Sequence, residues 1–256
     1  MENKKEPSPV SEEKKPVYTD KRERKYYEDG SWADADGKTG TYEGSMKDGL
    51  QEGTWKIYST DRKLVTSENF KSGVLDGMQL SYHENGKLLS EGNMKNGKKE
   101  GVWKVFNDKG VIFYEYCYKN GIKEGLNVFY LDNGFLYSQI GSYKDDKQEG
   151  LWKNYYESGA IMQKLNYKDG KVEGEWIMYY ENGKTCQERN ARNGELEGIC
   201  KFYRKDGSLS AVSNYKNGKK EGWESRYDEL GKPVEKVFFV DDVEYKNKNE
   251  NKSVFN

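Results

Sequence analysis

A chain of 256 residues that is 34% apolar even with Tyr counted, and another 34% charged, has too little aliphatic material for an ordinary globular core. Disorder is opposed by 28 Gly alongside 21 Tyr, 9 Phe and 6 Trp, since disordered chains are poor in rings; a thin, one-layer sheet accommodates both facts. With 43 basic against 44 acidic residues there is no basic excess to neutralise phosphates, so nucleic acid is not an expected partner.

Residues 1–25 are charged, hold three of the four Pro and show no periodicity, which predicts a charged, disordered tail or tether. Residues 26–51 contain Tyr42-Glu43-Gly44 and Asp48-Gly49, the outline of a degenerate first repeat or cap. From residue 52 to 245 the chain repeats. An acidic residue followed by Gly recurs at Glu52-Gly53, Asp76-Gly77, Glu100-Gly101, Glu124-Gly125, Glu149-Gly150, Glu173-Gly174, Glu197-Gly198 and Glu221-Gly222. These eight glycines are 24 residues apart, with a single interval of 25. Five residues after each stands a ring: Tyr58, Tyr82, Phe106, Tyr130, Tyr155, Tyr179, Tyr203 and Tyr227. Two residues after it, four repeats carry Trp: Trp55, Trp103, Trp152 and Trp176. A second large column holds Phe70, Met94, Tyr118, Tyr143, Tyr167, Tyr215 and Phe239, and is broken at Ala191. Val237-Phe238-Phe239-Val240 closes the last hairpin, and residues 246–256 read as a disordered tail.

Turn chemistry says what each unit is. One set of tight-turn signals is Asn85-Gly86, Asn133-Gly134, Asn182-Gly183 and Asp206-Gly207; the other is Asn96-Gly97, Asn120-Gly121, Asp169-Gly170 and Asn217-Gly218. Asn and Asp before Gly supply the positive φ of hairpin turns. Between the turns lie strand-length runs rich in Tyr, Trp, Phe, Val and Ile. Gly interrupts every window long enough for a helix. The expected fold is all-β, an elongated antiparallel sheet of about eight tandem 24-residue β-hairpin repeats, solenoid-like. Two strands at ~4.8 Å spacing advance such an array roughly 10 Å per repeat, on the order of 80 Å in all. A lone hairpin is marginal, so each repeat depends on its neighbours. Alternation along a pleated strand places the Tyr column and the Trp residues on opposite faces, and one ring-bearing face is expected to stay partly exposed unless the sheet curls into a trough.

The segment TYEGSMKDGLQEGTW (41–55) resembles a MORN repeat, and later units such as EGVWKVFNDKGVIFYEYCYKNGIK (100–123) resemble the MORN-variant form of bacterial proteins, including the YwqK-family antitoxins. The likeness covers roughly residues 40–242. It implies an elongated antiparallel sheet, protein or lipid contacts and, in bacteria, an antitoxin or immunity role.

Signals of catalysis are missing. The acidic column repeats in equivalent places, whereas acid–base catalysis needs two carboxyls in different environments. Its expected role is structural, accepting turn N–H groups or pairing with Lys of the adjacent turn. His83, the single His, lies just before a turn and reads as an exposed strand histidine, because a zinc triad or catalytic pair would need further partners. Cys117, Cys186 and Cys200 form no C-x-x-C pair and read as free thiols on strands. The Gly-rich segments are turns, not phosphate cradles. No catalytic residue, cofactor or metal is therefore expected, and the chain reads as a non-enzymatic, protein-binding scaffold.

If the columns are scaffold, specificity belongs where repeats depart from pattern. The fourth repeat has Asn127 in the Trp column and Asp145-Asp146 where a turn Gly is due; the sixth and seventh have Ala191, Arg192 and Cys200. With the ring residues, these give the candidate partner-binding set Trp55, Trp103, Asn127, Asp145, Asp146, Trp152, Trp176 and Arg192, for a protein partner such as a toxin. Balanced charge gives weak attraction to anionic lipid. No apolar run of ~18 residues and no signal-peptide core after Met1 point to the cytosol. The alternative is an exported or lipid-anchored surface protein whose leader has been removed, because the Pro-, Glu- and Lys-rich start resembles the spacer after a lipoprotein cleavage site.

Overall fold

A computed structural model describes residues 16, 18–19, 24–28, 30–132, 134 and 137–245. The expected tails fall largely outside these residues, as does Asn133 of one expected turn. Within the expected N-terminal tail, Tyr18–Thr19 pairs with Lys25–Tyr26 as a short antiparallel ladder. Every element among the described residues is a β-strand, as the Gly spacing predicts. The chain divides into two compact units, residues 1–98 and 99–256.

In the first unit, Thr39–Lys47, Leu50–Ser59, Leu64–Lys71, Gly77–Tyr82 and Leu88–Lys95 follow one another in a single antiparallel sheet. Its core is Tyr26, Trp32, Trp55, Ile57 and Phe70, with Tyr42 and Leu75 packed on it. The Tyr42 ring stacks on Trp55 at 5.0 Å and Tyr26 meets the indole edge-on at 5.4 Å. The expected cap thus supplies Tyr26, Trp32 and Tyr42 to the covering of Trp55. The second unit runs from the strand Lys98–Phe106 to Val243–Tyr245, each long strand again antiparallel to the next.

Both expected turn sets form, with different geometry. In one set two consecutive residues take positive φ, as at Asn96 (49°) and Gly97 (76°), the two-residue primed turn that Asn-Gly favours. In the other, the His83 N–H donates to Lys87 O and Gly86 N–H to His83 O, closing a tight turn with Gly86 at φ 81°. Strand pairing then slips by one residue beside the ring column, for example between Ser81 and Tyr82 and between Asn154 and Tyr155.

The acidic-Gly pair is not a turn. In four repeats it lies mid-strand at a bulge and in the other four the acidic residue interrupts the strand, with the glycine at positive φ, 70° at Gly53 and 69° at Gly150. Between the pairs Ile140↔Lys153 and Ser142↔Glu149, Gly141 alone faces three residues, Gly150 to Trp152. The bulge frees the acidic side chain to reach the next turn. In the first unit Ser72 N–H donates to Glu52 Oε2 at 2.7 Å and Asn96 N–H to Asp76 Oδ2 at 3.1 Å. In the second, Asn120 donates to Glu100 (2.8 Å), Asp145 to Glu124 (3.2 Å), Asp169 to Glu149 (3.0 Å), Asn193 to Glu173 (2.8 Å), Asn217 to Glu197 (3.0 Å) and Asp241 to Glu221 (3.2 Å). The second turn residue adds a backbone bond to the strand that leaves the preceding turn, as Gly170 N–H does to Gln148 O at 2.9 Å. Each turn is thereby fastened to the one before it. The acidic column is structural, and of the two expected partners it takes the turn N–H groups.

Candidate protein-binding surface

Two residues after each repeat glycine, the chain reads Trp55, Gln79, Trp103, Asn127, Trp152, Trp176, Cys200 and Glu224. This column lies on the interior face. Trp55 and Trp152 are 0% exposed and Trp103 5% exposed. Their depth has a cause in the glycines opposite: any side chain at Gly44 or Gly141 would overlap the indole of Trp55 or Trp152. The buried indoles are satisfied, Trp55 Nε1–H donating to Ser45 O at 3.0 Å and Trp152 Nε1–H to Ser142 O at 3.1 Å. The second ring column shares this face, since Tyr143 and Tyr167 meet Trp152 edge-on at 5.3 and 5.8 Å.

Four of the eight candidate partner residues, Trp55, Trp103, Asn127 and Trp152, are therefore packed inside and do not present their side chains to solvent. Asn127 Nδ2 donates to Gly125 O at 2.7 Å, while its Oδ1 has no hydrogen-bond partner. Trp176 is half-buried; its Nε1–H donates to Gln163 Oε1 at 2.9 Å and the Arg189 guanidinium lies 4.8 Å from its ring. Asp145, Asp146 and Arg192 are exposed, the two aspartates in the row of primed turns and Arg192 at the strand end that leads into the next such turn but one. Asp146 also ties its turn to the neighbouring hairpin. At φ 62° it occupies a glycine's place, and its Oδ1 accepts the Lys123 N–H at 2.8 Å. Asp242 does the same with Lys220 N–H at 2.7 Å, a substitution the sequence pattern did not single out.

Ala191 and Cys200 mark a smaller-bodied stretch of the interior, 2% and 0% exposed. Ala191 lies across from Gly174 where other repeats place a ring. The three cysteines are free and lie on strands; burial raises the pKa of the Cys117 and Cys200 thiols. In the eighth repeat Glu224 accepts from Ser213 Oγ at 2.6 Å, from Arg226 Nε at 2.7 Å and from Lys220 Nζ. Burial opposes its ionisation, but these donors outweigh burial and hold its pKa at about 2.

The opposite face differs. The ring column five residues after the glycine is half-buried, and Tyr58 donates its hydroxyl to Glu43 at 3.0 Å. One residue after the glycine, the second unit exposes Val102 (50%), Leu126 (53%), Leu151 (48%), Ile199 (62%) and Trp223 (55%), and the first unit exposes Met78 (44%). The residues paired with four of these are Cys117, Ser142, Asn166 and Asn214, so small or polar neighbours leave the aliphatic side chains uncovered. A large apolar residue exposed at one offset in six of eight repeats is more regular than the scattered surface hydrophobicity of an ordinary protein. It was overlooked in the sequence because rings, not aliphatics, defined the columns. The signal was an apolar residue at the same offset in six of eight repeats.

A cleft of about 560 Å³ lined by Phe113, Tyr130, Leu131, Asp132, Ser138 and Glu157 joins rings and two carboxylates. Among the described residues no group of three or more His, Cys, Asp or Glu is placed to hold a metal ion. No described helix is long and apolar enough to cross a membrane.

No curated protein matches the chain. The MORN repeat variant matches residues 75–96, 99–120, 148–169, 172–193 and 196–217. Each matched stretch begins two residues after an acidic-locked turn and ends on the first residue of the next turn in the row. The MORN repeat variant thus matches five of the 24-residue repeats, each of them a hairpin unit of the antiparallel sheet.

Proposed function

We propose that the chain is a non-enzymatic scaffold that binds a partner protein through its exposed aliphatic column. The observation that carries this is the uncovered series Val102, Leu126, Leu151, Ile199 and Trp223, on the face opposite the one where Trp103 and Trp152 are packed. Rigid strands present these residues at little ordering cost, and the turn-to-turn bonds keep them in register. The exposed residues Asp145, Asp146 and Arg192 add charge at the border, where it selects among partners. The resemblance to antitoxins favours a bacterial antitoxin or immunity role, acting by occlusion of a toxin. The second reading, an exported or lipid-anchored surface protein contacting envelope or host components, is favoured by the Pro-, Glu- and Lys-rich start.

The test is capture of the native partner by wild-type chain and by Leu126→Ser/Leu151→Ser. Both positions are already half exposed, so the variant should keep its circular dichroism and lose the partner. Equal capture would remove the aliphatic column from the reading. Growth arrest on loss of this gene alone, relieved by deleting a neighbouring gene, would support the antitoxin role; unimpaired growth would count against it. A native leader ending in a lipidated Cys would favour the surface role.

A further inference from the structure

On the interior face, two residues before the repeat glycine, stand Lys99, Lys123 and Lys220. Lys220 shows what this position accepts. Its ammonium lies 4.8 Å from the Phe239 ring and is ion-paired with Glu224, four residues on. In the third and fourth repeats the residue four further on is Trp103 or Asn127, and the carboxylate is missing. The ammonium of Lys99 lies 4.3 Å from the Trp103 ring and 5.0 Å from Tyr118; that of Lys123 lies 4.2 Å from Tyr116 and 5.0 Å from Tyr143. Among the described residues neither ammonium has a carboxylate partner. Both side chains are half-buried, and burial together with the Lys123 charge lowers the pKa of Lys99. Two like charges held against rings, partly out of water, gain from an incoming anion more than exposed lysines do.

We propose that Lys99 and Lys123, framed by Trp103, Tyr116, Tyr118 and Tyr143, receive a carboxylate side chain from an acidic segment of a protein partner. The chain's own Glu224 is the precedent for the chemistry. An anionic lipid surface is disfavoured because such surfaces are read by larger basic clusters, and this chain's net charge is −1. The inference rests on the chain being a protein binder, but it concerns the face opposite the aliphatic column.

The test is calorimetric titration of the full chain with a ten-residue glutamate-rich peptide and its glutamine counterpart, beside co-sedimentation with phosphatidylserine-containing vesicles. The glutamate peptide should bind at least tenfold more tightly than the glutamine peptide, and its affinity should fall with added NaCl. Lys99→Met/Lys123→Met, which keeps the stems, should lower that affinity at least tenfold, while Leu126→Ser/Leu151→Ser leaves it unchanged. Equal affinity for both peptides, indifference to salt, or indifference to the lysine variant would overturn the proposal. So would lysine-dependent vesicle binding without peptide binding, which would make the ligand a lipid. Should the double lysine variant fail to fold, the salt and glutamine comparisons on wild-type chain still decide. Peptide binding is read without the native partner, so this proposal and the aliphatic-column reading can fail separately.

Discussion

A methyl group at Gly44 tests the packing that puts the indoles inside. Gly44 has no positive φ, so Gly44→Ala carries no backbone strain and its effect is steric. A Cβ built there stands 2.5 Å from Cε2 and 2.6 Å from Cγ of Trp55, where ordinary contact begins near 3.4 Å. The indole must then withdraw by about 1 Å to reach normal van der Waals separation. It has nowhere easy to go: Tyr42 stacks on it at 5.0 Å, Phe70 stands edge-on at 6.2 Å, and Nε1–H is tied to Ser45 O at 3.0 Å. Overpacking of this kind costs about 1–3 kcal/mol and losing the indole hydrogen bond about 1 more. The alanine recovers about 0.4–1 kcal/mol by restricting the unfolded chain. The net expectation is a loss of about 1–3 kcal/mol, several degrees in Tm at roughly 2–4 °C per kcal/mol. Thermal unfolding followed by near-ultraviolet circular dichroism and Trp fluorescence reads it. The companion Gly44→Ala/Trp55→Leu should show the alanine penalty largely gone, since the obstructing ring is absent. A Gly44→Ala protein as stable as wild type, with unchanged indole signals, would refute the reasoning.

Three further outcomes are expected. Glu149→Ala removes the acceptor for Asp169 N–H, bound at 3.0 Å, and should destabilise by about 1–2 kcal/mol in urea unfolding, with Glu149→Gln in between because its amide oxygen still accepts. Asp146→Gly should stay near wild type, because Gly accepts the φ of 62° while losing the bond to Lys123 N–H at 2.8 Å; Asp146→Ala loses the bond and keeps the strain, and should unfold at the lowest urea concentration of the three. Glu224, 4% exposed, has a folded pKa of about 2 against an ordinary value of 4.5, so its ionic contribution is present above pH 4.5 and lost as pH falls towards 2. Stability measured across that window should fall by at most about 3 kcal/mol on its account, and Glu224→Gln should flatten that part of the profile.

The repeat length, the hairpin character and both turn sets were legible because Asn-Gly and Asp-Gly demand positive φ and recur every 24 residues. The structural role of the acidic column was legible from its equivalence across repeats, although the bulge or strand interruption that aims each carboxylate at a turn was not. Alternation along a strand tells which residues share a face but not which face closes. That depends on Gly44 and Gly141 leaving room for an indole, a contact between strands that spacing within one strand does not reveal. Trp55, Trp103 and Trp152 therefore looked like interface rings and are interior ones. Asp146 looked like a departure left for a partner, and it is also a working turn residue whose carboxylate caps the neighbouring Lys123 amide. The aliphatic column went unseen because rings defined the columns; the exposure of Val102, Leu126, Leu151 and Ile199 follows from the small and polar residues opposite them, which belong to another strand.

The claim on which the whole account turns is that each acidic residue holds the turn of the next hairpin. Amide hydrogen exchange at Ser72, Asn96, Asn120, Asp145, Asp169, Asn193, Asn217 and Asp241 measures it directly. These amides lie at exposed turn tips, yet each donates to a carboxylate of the preceding repeat, so slowed exchange is predicted at all eight. Exchange at the rate of free peptide along this row would contradict it.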